Sequence, residues 1–152
     1  MASYLITGAS RGIGLELTKQ LLELPESEVG KVFAMTRNRD CLNLTDLVAK
    51  YPNRVVHIVA SVDNTESIAK AVDDVASNLH SKGLDVLVNN AGIQTYAPGG
   101  TKTVPPEELA QVIDTNVIGV HRVTSAFLPL LERGDQKKVI NVYVAHELSN
   151  FE

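Results

Sequence analysis

Tyr4-Leu5-Ile6-Thr7-Gly8-Ala9-Ser10-Arg11-Gly12-Ile13-Gly14-Leu15 carries most of the information about the fold. A short apolar run stops at Gly8, three glycines follow with the spacing Gly-x-x-x-Gly-x-Gly, and Leu15, Leu17, Leu21 and Leu22 then recur as on a buried helix stripe that ends near Pro25. Such a strand-turn-helix needs glycine for stated reasons. Gly8 allows a tight turn, Gly12 lets an anionic group approach the backbone, and Gly14 lets helix and strand pack closely. The free N–H groups of the helix start would face a diphosphate. A glycine trio also serves as a purely structural turn; its position between a first strand and a first helix favours the nucleotide reading.

Outward from this turn, strands and helices alternate. Lys31–Thr36 reads as a second strand, Leu42–Lys50 as a short helix, and Arg54–Val59 as a third strand rich in β-branched residues. Asp63, with Glu66 three positions on, has the spacing of a capping box and opens a helix whose face carries Ile68, Ala71, Val72, Val75, Ala76 and Leu79. Leu84–Val88 reads as a strand buried on both sides. Pro105-Pro106 opens one long helix to about Arg133, with Leu109, Val112, Ile113, Val117, Val120, Val123, Phe127, Leu130 and Leu131 on its apolar side. Lys138–Val144 is a fifth strand. This order predicts an α/β fold, a doubly wound parallel sheet with helices on both faces and a ligand site at the carboxyl ends of its strands.

The 152 residues suffice for one domain, with 44% hydrophobic and 21% charged residues. The net charge of −4 and the lack of a basic block argue against nucleic acid as the main partner. Cys41 is the sole cysteine and the four histidines are scattered, so neither an intrachain disulfide nor a zinc site is expected. No apolar stretch has membrane-spanning length and the N-terminus lacks the basic start of a signal peptide, which predicts a cytoplasmic chain with no membrane partner.

The end of the second strand bears on which nucleotide is bound. An NAD-preferring site usually places an acid there for the ribose 2′-hydroxyl. Here the residues are Thr36-Arg37-Asn38-Arg39, and Arg11 adds a cation from the glycine turn. Arg11 and Arg37 are the candidates for gripping a 2′-phosphate, and hence for NADP(H). The other reading of Arg37 and Arg39 is as solvated loop charges.

Three motifs in order, namely the glycine turn, Asn89-Asn90-Ala91-Gly92 after the fourth strand, and Asp114-Thr115-Asn116 in the long helix, resemble the short-chain dehydrogenase/reductase family. Thr36-Arg37-Asn38-Arg39 is similar to the sniffer-like and norsolorinic acid ketoreductase-like carbonyl reductases. The resemblance implies a Rossmann-type NAD(P)-binding domain over residues 1–142, acting on a small carbonyl or alcohol substrate. It implies that Gly8, Ser10, Arg11, Gly12, Ile13 and Gly14 wrap the diphosphate and that Thr36 and Arg37 meet the adenosine ribose region. Asn90, Ala91 and Gly92 would line the ribose. The adenine-contacting Asp of the family falls on Ser61, followed by Val62. Asn116 would be the helix asparagine that helps hold a water in the proton relay. Its place on the apolar stripe predicts a buried amide, which a structural role bonding backbone would satisfy equally.

The family's chemistry needs a Tyr-x-x-x-Lys pair and an upstream serine: an acid of tuned pKa and a donor at the developing oxyanion. Tyr4, Tyr51, Tyr96 and Tyr143 are followed at that spacing by Gly8, Val55, Gly100 and Glu147, none a lysine. Val142-Tyr143-Val144-Ala145-His146 stands where the serine would close the fifth strand. Residues 143–152 therefore read as a divergent tail, of the kind a frameshift or misread intron produces, on a domain truncated relative to the family. An exposed apolar edge strand is expected there. Three readings stay open: the cofactor half of an NADP(H)-dependent carbonyl reductase, a non-catalytic NADP-binding module, or an inactive truncated product. Pairing through the helix 106–133, with a second copy or a full-length relative, is compatible with the first two.

Overall fold

The computed structural model describes residues 1–95 and 102–143. Its strands are β1 (Ala2–Thr7), β2 (Val29–Thr36), β3 (Val55–Val59), β4 (Val86–Asn89) and β5 (Lys138–Asn141). The helices are α1 (Gly12–Glu23), α2 (Leu42–Lys50), α3 (Thr65–Leu79), α4 (Pro106–Ile113) and α5 (Gly119–Glu132). All strand pairs are parallel, in the order β3-β2-β1-β4-β5. The order reverses between β1 and β4. At that switch the two following loops leave in opposite directions and open a crevice above the carboxyl ends.

Side chains alternate across the sheet because strand residues have a period of two. Leu5, Phe33, Ile58 and Leu87 point to one face and pack on Ile68 and Val75 of α3 and on Val123 and Phe127 of α5. Ile6, Val32, Ala34, Val86 and Val88 point to the other and meet Leu15 and Leu22 of α1 and Leu44 and Leu47 of α2. Phe33, Phe127, Leu5 and Ile6 are wholly buried, each such side chain contributing roughly 1.5–3 kcal/mol of transfer free energy. The doubly wound sheet is thus the architecture the alternation predicts.

The amino end of β4 is fixed by one carboxylate. Asp85 Oδ2 accepts from the Ser3 N–H (2.8 Å) and hydroxyl (3.0 Å), and Oδ1 accepts from the N–H groups of Asp135 (2.8 Å) and Gln136 (3.3 Å). Burial pushes the Asp85 carboxyl pKa up, but the four donors outweigh it and hold the group below the ordinary carboxylate value.

Three expectations change. The helix 106–133 is not continuous: Asp114–Ile118 forms a π turn between α4 and α5. Arg122 bridges back to Asp114 with two hydrogen bonds (2.7 and 3.1 Å) across that turn. Second, the buried stripe belongs to α5 alone. Val123, Phe127, Leu130 and Leu131 are buried, whereas Leu109 and Ile113 of α4 and Val117 of the π turn are exposed; among the described residues α4 packs mainly on that turn rather than on the sheet. Third, the cap of α3 is Asn64, whose Oδ1 accepts from the Ser67 N–H at 2.8 Å, rather than Asp63. The edge strand β5 ends at Asn141 with Val139 and Ile140 exposed, shorter than the predicted strand through Val144: Val142 and Tyr143 fall outside it, and Val144 lies outside the described residues.

Candidate functional site

A cleft of about 370 Å³ opens at the β1/β4 switch. Its walls include Gly8, Ser10, Arg11, Gly12, Ile13, Arg37, Ser61, Val62, Asn90, Ala91 and Gly92. These come from the ends of β1, β2, β3 and β4, which only the parallel arrangement brings together.

Two of the glycines are in the left-handed region, and for different ends. Gly8 has φ +69°, and a Cβ there would stand 2.8 Å from Ala91 Cα. Gly12 has φ +57° but open space where its Cβ would be. The first is filled by protein; the second faces the cleft. Gly14, buried and off the cleft wall, lets α1 approach: a Cβ there would overlap the Gly8 carbonyl and stand 2.5 Å from Asn90 Nδ2. Helix α1 begins at Gly12 with no side-chain cap and no acid in its first turn, so its first N–H groups and positive dipole end lie at the cleft uncompensated.

The loop after β4 is tied to the loop after β1 by Thr7 and Asn90. Thr7 Oγ1 accepts from the N–H groups of Asn90 (3.0 Å) and Ala91 (2.9 Å), while Asn90 Nδ2 donates to the carbonyls of Thr7 (3.0 Å) and Gly8 (3.3 Å). Sequence reading named Asn90 and Ala91 but missed Thr7. Its signal was a hydroxyl at the last position of an otherwise apolar strand.

On the opposite wall, Ser61 donates to the Asp63 carboxylate, and Asp63 itself lines the cleft. Asp63–Glu66 has the capping-box spacing, but the cap bond is made one residue later, by Asn64 to the Ser67 N–H. With Asn64 capping, Asp63 is released to the cleft. Met35, Ala60, Ile93, Gln111 and Thr115 also line it and were not anticipated.

Two predicted residues lie elsewhere than expected. Thr36 is buried and off the cleft wall; its hydroxyl lies 2.6 Å from the Asn38 carbonyl and 2.7 Å from His57 Nε2. Asn116 is exposed, not buried, because the π turn rotates it off the stripe. Its amide nevertheless finds partners: Oδ1 accepts from the Ile93 N–H (2.9 Å) and Nδ2 donates to the Ile93 carbonyl (2.7 Å). That bracket holds the strip after β4 against the π turn between α4 and α5.

The guanidinium groups of Arg11 and Arg37 make no hydrogen bond or ion pair among the described residues, and both residues are exposed. Tyr143 is 85% exposed and does not line the cleft. Tyr96, His146 and Glu147 lie outside the described residues. Among the described residues no group of three or more His, Cys, Asp or Glu is placed to hold a metal ion, and no helix is long and apolar enough to cross a membrane.

A parallel sheet with its cleft at the switch point, a glycine turn under it and an Asn-Ala-Gly strip over it defines a dinucleotide-type α/β domain. The short chain dehydrogenase family profile matches residues 3–150, and the chain belongs to that family. The short-chain dehydrogenase/reductase AacuF of Aspergillus aculeatus is 34% identical over 148 residues, covering 93% of this chain and 54% of that protein. The NADPH-bound carbonyl reductase from chicken fatty liver superposes with a TM-score of 0.79 at 34% identity, over 88% of this chain and 52% of that one. Carbonyl reductase Sniffer of D. melanogaster gives 0.79 at 35%, over 88% and 53%. The chain spans about half the length of these proteins.

Proposed function

We propose that this chain is the nucleotide-binding half of an NADP(H)-dependent reductase acting on a carbonyl, a ketone or aldehyde such as a polyketide intermediate. The observation that carries the reading is the pair of uncommitted guanidinium groups, Arg11 and Arg37, on the same cleft as the glycine turn. Arg37 stands just past the end of β2, and the acid of the described lining, Asp63, comes after β3 instead. A 2′-phosphate suits that arrangement better than a bare ribose hydroxyl does. The NADPH-bound state of the chicken carbonyl reductase points the same way.

The residues fit such a cofactor. The open space above Gly12 and the uncapped start of α1 suit a diphosphate, with Gly8, Ser10, Ile13 and Gly14 shaping the turn. Asn90, Ala91 and Gly92 form the ribose wall; Ser61 and Val62, with Asp63, form the adenine side. When bound, the nicotinamide supplies hydride chemistry. Asn116 is the helix asparagine of the site and acts by positioning, its amide fixing the strip at Ile93.

A second reading, a non-catalytic NADP-binding module, draws on the apolar residues left exposed on α4 and the π turn after it. Exposed Leu109 and Ile113 of α4 and Val117 of the π turn would then serve pairing with a second copy or a longer relative. Thermal melts of the chain with NADPH or NADH, and NADPH turnover with a panel of ketones and aldehydes, test both. At a cofactor concentration of about 100 Kd the linkage is ~2.7 kcal/mol. That corresponds to a rise of about 5–10 °C for a domain of this size. A larger rise with NADPH than NADH, lost in Arg37→Ala, supports the site; turnover selects the reductase reading and binding without turnover the module. No shift with either cofactor overturns both.

A further inference from the structure

Thr36 closes β2, is 2% exposed, and keeps its hydroxyl away from the cleft. A hydroxyl has one proton to give. The Asn38 carbonyl at 2.6 Å can only accept, so the proton goes there, and His57 Nε2 at 2.7 Å must then be the N–H donor into the Thr36 oxygen. The same carbonyl also accepts from Cys41 Sγ at 3.3 Å. His57 sits on β3 in register with Ala34, and the Thr36 carbonyl accepts from the Ala60 N–H at 2.9 Å, so the end of β2 is fixed against its neighbour. Burial, and after it the Arg39 guanidinium, lowers the His57 pKa, which keeps the ring in a neutral tautomer at neutral pH. Between the two ends of the Thr36–Asn38 bond lies one residue, Arg37. A side-chain hydroxyl bonding the carbonyl two positions on fixes the backbone angles of the residue in between.

We propose that Thr36 and His57 are positioning residues for cofactor selectivity: the relay from His57 through Thr36 to the Asn38 carbonyl sets the turn that aims Arg37 at the 2′-phosphate. This rests on the NADP(H) reading of the cleft. Neither residue touches the cofactor; both act through the backbone of Arg37.

The test is isothermal titration of the full chain with NADPH and with NADH for Thr36→Val, Thr36→Ser, His57→Phe, His57→Gln and Arg37→Ala, with a melt of each variant without cofactor. Thr36→Val removes both bonds at constant shape and is expected to weaken NADPH about tenfold, the worth of one to two hydrogen bonds, while NADH changes less than about twofold. Thr36→Ser restores NADPH binding. His57→Phe is expected to weaken NADPH about threefold, and His57→Gln, whose amide donates from near the Nε2 position, to restore it. Equal weakening of both cofactors, or no change in either, in both Thr36→Val and His57→Phe overturns the proposal. Arg37→Ala separates the two levels. If it leaves the NADPH-to-NADH ratio unchanged, the cofactor reading itself fails; if it collapses the ratio while the Thr36 and His57 variants keep it, the relay alone fails.

Discussion

Gly8 and Gly12 lie four residues apart with nearly the same backbone conformation, φ +69° and +57°, so alanine at either meets the same left-handed penalty. That penalty is roughly 1–2 kcal/mol, offset by about 0.4–1 kcal/mol because alanine has less freedom to lose from the unfolded chain. What differs is space. At Gly12 nothing stands within 4 Å of the added carbon, so Gly12→Ala is expected to cost about 1 kcal/mol or less. At Gly8 the carbon would be 2.8 Å from Ala91 Cα and 3.1 Å from both Ala91 N and Asn90 Nδ2. Two of these atoms are backbone, and the side-chain amide is held by the carbonyls of Thr7 and Gly8, so little can give. Overpacking of that kind adds about 1–3 kcal/mol, making Gly8→Ala roughly 2–4 kcal/mol less stable. Thermal denaturation should show a fall of about 5–15 °C for Gly8→Ala and at most about 4 °C for Gly12→Ala. Binding should rank the other way among folded variants, since the Gly12 methyl projects into the space assigned to the diphosphate. Equal destabilisation by the two substitutions would refute the division into a packed glycine and an open one.

Asp85→Asn replaces an oxygen that faces backbone N–H donors by an amide, and is expected to cost about 2–4 kcal/mol at pH 7, read by urea denaturation. The folded-state Asp85 pKa is lowered, so its stabilisation is present above the unfolded value of about 3.9 and is lost as pH falls through the folded value; the gap between wild type and Asp85→Asn should close in that acid range. Asn116→Ala breaks the bracket on Ile93 and should speed amide exchange at Ile93 roughly tenfold, with a stability loss near 1 kcal/mol because the site is open to water. Asn90→Ala removes donors from the Thr7 and Gly8 carbonyls and is expected to lower the melting temperature by about 2–8 °C, with weaker NADPH binding.

The sheet was legible because its signals are local and repeated. Apolar runs bounded by Gly8, Pro25 and similar stops, joined by helix-period stretches, leave few arrangements other than a parallel sheet. The glycine turn placed one wall of the cleft for the same reason. What failed to show depends on contacts distant in sequence. Asp114–Ile118 contains nothing that breaks a helix; its π turn coincides with the Asn116 bracket on Ile93 and the Arg122 pairing with Asp114. The apolar period of Leu109, Ile113 and Val117 tells which face they share, but not whether anything covers that face. Thr36 was assigned to the cleft by its position along the chain, and strand register, which pairs β2 with His57 on β3, turned its hydroxyl elsewhere.

These differences sort the residues of the cleft by how their polar atoms are used. Thr7, Asn90 and Asn116 spend theirs on protein carbonyls and N–H groups, which welds two separate loops and a helix into one rim. Arg11 and Arg37 spend none, although each is a long side chain whose ordering on a ligand costs rotamer entropy. A rigid rim carrying free cations is what selective anion binding requires: backbone donors held in place before the ligand arrives, and charge that gains a partner only when it does. Stability and affinity should therefore respond to different residues along the same wall. Substitutions in the rim move both together, and substitutions at the two arginines move affinity alone.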